Sequence, residues 1–132
     1  MDQMTQDRTA DLGHPLVLSS RVTGTPVYDT AGTRLGHVDD LSIEKESGRA
    51  IYAIVSFGGF LGIGEKFHPV PWALLDYDVD RGGFIVPLNP AALKGAPNYD
   101  AAEIRALGGP DYRTYGDTIY GYYGTYGVTP YW

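Results

Sequence analysis

Between residues 21 and 97, short apolar stretches alternate with polar positions and are cut by turn sequences at close intervals. Val22–Tyr28 reads as a first strand, ended by Asp29-Thr30-Ala31-Gly32, where Asp bonds local backbone amides and Gly accepts positive φ. Arg34–Glu44 follows, with Leu35, Leu41 and Ile43 apolar and Gly36 at a bend or bulge; Glu46-Ser47-Gly48 then turns the chain. Arg49–Phe57 is the strongest strand pattern. Ile51, Ala53, Val55 and Phe57 fall on one face and Tyr52 and Ile54 on the other, which predicts burial on both sides. Phe67–Trp72 carries Pro69 and Pro71, so it belongs at a sheet edge or kinks. Leu74–Val79 and Phe84–Leu88 flank the hairpin signal Asp80-Arg81-Gly82-Gly83.

Six short strands without intervening amphipathic helices predict an all-β fold, a small six-stranded antiparallel barrel, since closure removes exposed edges. Only Pro90–Lys94 reads as a helical turn. The expected organisation is a flexible polar leader over residues 1–20, the barrel over 21–97 and an aromatic extension over 98–132.

Charge narrows the choice of partner. Ten basic residues against sixteen acidic leave a net charge of −6, which opposes direct nucleic-acid binding, where cations must neutralise phosphates. The absence of cysteine removes disulfides, thiolate nucleophiles and Cys-ligated zinc. The start of the chain lacks the basic and apolar regions of a secretory signal. The uncharged run Ala50 to Gly64 is shorter than the roughly 20 apolar residues of a spanning helix. A cytoplasmic protein is expected, with peripheral attachment to a membrane complex left open.

Gly58–Lys66, GGFLGIGEK, has the glycine density of a phosphate loop but not its order. A Walker loop needs Lys directly after the last Gly and a hydroxyl next; here Glu65, Lys66 and Phe67 follow Gly64. A dinucleotide fingerprint needs a following helix that the pattern does not supply. The loop is therefore read as structural, with Phe60, Leu61 and Ile63 either lidding the core or forming a contact patch. His37 and Asp39, two apart on a strand, face the same side, and His68 is a third candidate to approach them; His14 sits in the leader. Asp39 and Asp40 point to opposite faces unless the strand bulges. No nucleophile–base or zinc motif is present, so no catalytic, cofactor or metal residue is assigned.

Taken together, Val27-Tyr28-Asp29 with Gly32, Leu35-Gly36, Asp40-Leu41-Ser42-Ile43, Ser47-Gly48-Arg49, Tyr52-Ala53, GGFLGIGEK and Val70-Pro71-Trp72 resemble the PRC-barrel domain. That family includes the cytoplasmic domain of the photosynthetic reaction-centre H subunit and the C-terminal domain of the ribosome-maturation factor RimM. LKGAPNYD at 93–100 and the YYG…PYW ending resemble stand-alone bacterial PRC-barrel proteins. The resemblance implies a β-barrel without a catalytic signature. It also suggests two alternatives, a soluble accessory of a membrane electron-transfer complex and a RimM-like role in RNA processing.

Residues 112–132 hold seven tyrosines and a tryptophan interleaved with glycine. Such rings suit docking on the chain's own barrel or a sister subunit, or a tail that orders on a partner. Simple disorder is the remaining reading. The expected function is a non-enzymatic protein–protein interaction or assembly module, with a homodimer as one form. Phe60, Leu61, Ile63, Trp72, Tyr120, Tyr122, Tyr123 and Tyr126 are the candidate contacts. Trp72 is also read as a core plug.

Overall fold

The computed structural model describes residues 15–58 and 66–132. A short helix α1 (Ser19–Val22) leads into β1 (Pro26–Tyr28), β2 (Arg34–Ile43), β3 (Ala50–Phe57) and β4 (Phe67–Pro71). A 3-10 turn (Trp72–Leu74) precedes β5 (Asp76–Asp78) and β6 (Gly83–Ile85). Three helices follow: α2 (Pro90–Gly95), α3 (Ala101–Ala106) and α4 (Tyr112–Tyr123), then a 3-10 turn over Gly124–Tyr126.

The strands form one sheet in the order β4-β3-β2-β1-β6-β5. Neighbours pair antiparallel except β1 and β6, which run parallel through Val27↔Phe84 and Tyr28↔Ile85. Two parts of the sequence expectation need correction. The sheet is mixed rather than purely antiparallel, and its end strands β4 and β5 are not paired with each other, so it is not closed. Helices are also more numerous than the single turn expected at Pro90–Lys94. The expected first strand is split, because Val22 ends α1 and the strand begins only at Pro26. Gly24 and Thr25 nevertheless bond the backbone of Val38, so the chain already runs beside β2 there.

The edge position expected for β4 is found, and backbone geometry explains it. Phe67 turns its N–H and C=O outward, exchanging two 2.9 Å bonds with Tyr99. Backbone direction alternates along a strand, so Pro69 and Pro71 share that outward side, where a missing N–H breaks no ladder bond. Prolines on this side also deny donors to any further strand.

Burial on both faces of β3 holds as expected: Ile51 through Val55 are all buried. Cross-strand partners share a face, so Val38, Val55 and His68 line one side, while Tyr52 and Ile54 oppose Pro71 and Pro69 on the other. Leu93 of α2 is fully buried in the core. Its helix is started by Asn89, whose Oδ1 accepts from the Ala92 amide at 2.8 Å, with Pro90 at the first helical position. A reciprocal capping box between Asp100 and Glu103 starts α3.

Candidate functional site

The aromatic extension supplies the cover for the Tyr52 face of the sheet. In α4, Gly116, Ile119, Tyr120 and Tyr123 are buried, with Tyr115 and Tyr122 partly so, a spacing that puts one side of the helix inward. Tyr120 meets Tyr52 at 5.8 Å between ring centroids, and Tyr99 meets Tyr115 edge-on at 5.4 Å. The Tyr122 hydroxyl donates to the Ala92 carbonyl, tying α4 to α2. Burial raises the phenol pKa of both Tyr52 and Tyr123 well above the ordinary value, so both stay protonated.

Residues 127–132 then cross this helix. Gly127 turns them in the left-handed region at φ 88°, where other residues are strained. Tyr131 meets Tyr52 edge-on at 6.3 Å, and its carbonyl accepts from Arg49 Nη2 at 3.3 Å. Trp132 stacks edge-on against Tyr120 at 6.0 Å and Tyr112 at 6.5 Å, beneath the Arg113 guanidinium at 5.3 Å. Its ring lies so close to Gly116 that any Cβ there would collide with it. Glycine inside a helix costs about 1 kcal/mol relative to alanine, so this notch is bought with helix stability.

Of the candidate contacts, Tyr120 and Tyr123 are thus turned inward, Tyr122 is half-buried and Tyr126 is 37% exposed. Trp72 is half-buried and packs edge-on against Phe84 at 5.6 Å. Phe60, Leu61 and Ile63 lie outside the described residues, as does His14.

The polar candidates divide between the two faces. His37 Nε2 lies 3.1 Å from Asp39 Oδ1, on one side as the spacing implied. Asp39 sits where the β2 register slips between Val38 and Asp40, and its other oxygen accepts from the Ser56 hydroxyl. The Ser56 proton is directed to the carboxylate and not to the imidazole, so this trio lacks the serine–histidine bond of an activated nucleophile. Beside it runs a groove of about 350 Å³ lined by Arg34, His37, Ser56, Phe57 and Gly58 among others. His68 does not join them. Its strand partner is Val55 while that of His37 is Ser56, and neighbouring residues face opposite ways.

His68 is fully buried, with Phe57 edge-on at 4.7 Å. Neither ring nitrogen, nor the Tyr123 hydroxyl, has a hydrogen-bond partner among the described residues. Desolvation pushes the His68 pKa down to about 4; the nearby Leu93 backbone opposes this weakly without completing a bond. No group of three or more metal-ligating side chains comes together among the described residues. No helix among them is long and apolar enough to cross a membrane.

A six-stranded mixed sheet, apolar on both faces and covered by its own C-terminal helices, defines a small β-rich domain with a helical extension. The PRC-barrel domain model matches residues 15–93, more than half of the chain. The chain belongs to the PRC-barrel family. Comparison with curated proteins found no match. The helical signal that sequence reading missed was legible at Tyr115, Ile119, Tyr122 and Tyr123, but Gly116 and Gly121 interrupt it.

Proposed function

We propose that this chain is a non-enzymatic interaction or assembly module whose partner is a protein, with a second copy of the chain as one candidate. The observation that carries this reading is the run Leu16-Val17-Leu18, which is 83%, 59% and 73% exposed immediately before α1. Three consecutive apolar side chains in water are an unfavourable surface unless something covers them. Both faces of β3, the richest apolar strand, are already buried within the domain, whereas Leu16, Val17 and Leu18 are among its exposed large apolar side chains. A cytoplasmic setting, at or away from a membrane complex, belongs to the same proposal.

The test uses the full-length chain as affinity bait in its native extract, beside a variant carrying Leu16→Ser, Val17→Ser and Leu18→Ser. Sedimentation of both purified proteins reports self-association. The proposal expects the variant to lose either a reproducible partner or a dimer while keeping its circular dichroism spectrum. Identical partner sets and identical sedimentation would refute it.

A further inference from the structure

The seat of Trp132 has the construction of a binding notch, and the segment filling it has the construction of a removable plug. The notch floor is Gly116, its walls are Tyr112 and Tyr120, and Arg113 lies over the indole face at 5.3 Å. Next to it, Tyr52 takes the Tyr131 ring and Arg49 grips the intervening backbone carbonyl at 3.3 Å. These are the elements of peptide recognition: a ring-sized hole, a cation for the ring face and a donor for the main chain. The plug is attached less firmly than the helix it covers. It swings from the left-handed Gly127, residues 128–132 belong to no helix or strand, and Trp132 remains 40% exposed where it sits. Under it Tyr52 and Tyr120 are only 4% and 8% exposed, so its departure would uncover two further rings.

We infer that this notch is a docking site for a protein partner's segment bearing adjacent tyrosine- and tryptophan-like side chains, and that residues 127–132 occupy it as an internal stand-in. The partner chemistry follows from the resident: a large aromatic ring for the Gly116 hole, a second ring beside Tyr52, and a free carbonyl between them for Arg49. A tethered segment competes at an effective concentration in the millimolar range, so the notch opens only to a partner with further contacts or when the plug is disabled. The inference rests on the reading of the chain as an interaction module and specifies one partner chemistry for it.

The probe is a labelled hexapeptide Gly-Val-Thr-Pro-Tyr-Trp, copying residues 127–132, titrated with full-length protein and followed by fluorescence anisotropy. Trp132→Ala vacates the notch and is expected to bind the peptide saturably, at least about tenfold more tightly than wild type. Adding Gly116→Ala fills the hole while raising helix propensity, and is expected to weaken binding by at least about tenfold with an unchanged circular dichroism spectrum. A peptide with alanine for tryptophan should lose as much. Absence of saturable binding to a folded Trp132→Ala chain overturns the inference, as does equal binding by the alanine peptide or by the Gly116→Ala chain. Unfolding of Trp132→Ala also overturns it, because the segment is then part of the core. A wild-type dimer abolished by Trp132→Ala makes the occupant a second copy and overturns the foreign partner. None of these results alters the Leu16–Leu18 experiment, so the two readings fail separately.

Discussion

His68 should make this protein lose stability in mild acid, and replacing it with leucine should remove that loss. The imidazole is fully buried against Phe57 and Val55, with Leu93 of α2 nearby, and its pKa is held down to about 4 against 6.5 for the free side chain. The depressed value means that the folded state binds its proton later than the unfolded chain does. Above pH 6.5 both states are neutral and stability does not change on this account. As pH falls below 6.5 the unfolded chain gains a proton that the folded core refuses, and the loss levels off once pH passes below about 4. Linkage over that interval gives a loss of about 2 kcal/mol at pH 5 and about 3 kcal/mol at its limit. Against a typical total of about 5–15 kcal/mol, such a change is readily measured. Urea denaturation followed by circular dichroism at several pH values between 7.5 and 4.5, for wild type and His68→Leu, isolates the contribution, because the surface carboxylates titrate alike in both. The stability difference should swing by about 2 kcal/mol in favour of leucine between pH 7.5 and pH 5. A difference that stays constant across this range would show that His68 takes up its proton in the fold as readily as in the unfolded chain, and the reasoning from burial would be wrong.

Tyr123→Phe removes a buried hydroxyl that has no partner among the described residues, and should raise stability by about 1 kcal/mol in the same denaturation assay. Ile119→Ala opens a hole where α4 meets the domain and should cost about 2–4 kcal/mol, with a fall in near-ultraviolet dichroism as the tyrosine cluster loosens. In alkali the sign is the reverse of that for His68. The raised phenol pKa values of Tyr52 and Tyr123 mean that stability is lost as pH climbs past about 10, where the unfolded tyrosines ionise and these two do not. Absorbance at 295 nm should therefore show their ionisation only together with unfolding, and smooth titration of all eleven tyrosines in a folded protein would contradict it.

Strands were the most readable part of this chain because their signal is local. Alternation in residues 50–57 reports a strand buried on both sides, and Asp29 or Asn89 marks an element boundary through bonds to residues two to four positions away. Pro69 and Pro71 likewise announced an edge, since a proline lacks the donor that an interior strand needs. The PRC-barrel family was legible from the same motifs. The α4 helix was not. Two interior glycines and a run of tyrosines, whose helix propensity is middling, describe a poor helix in isolation; it forms with one face buried against the sheet and against residues that arrive from elsewhere in the chain.

From the residues alone came the β-rich centre, the turns, the edge proline strand and the histidine–aspartate pair on one face, all of which depend on spacing along a few positions. Only the tertiary structure decided that β1 pairs β6 in parallel, that the sheet stays open, that His68 is buried apart from His37, and that Trp132 sits on Gly116. These facts join residues sixteen to fifty-seven positions apart. The physical reason is that such pairings are chosen by competition among apolar surfaces for one core, and no local pattern records which surface wins.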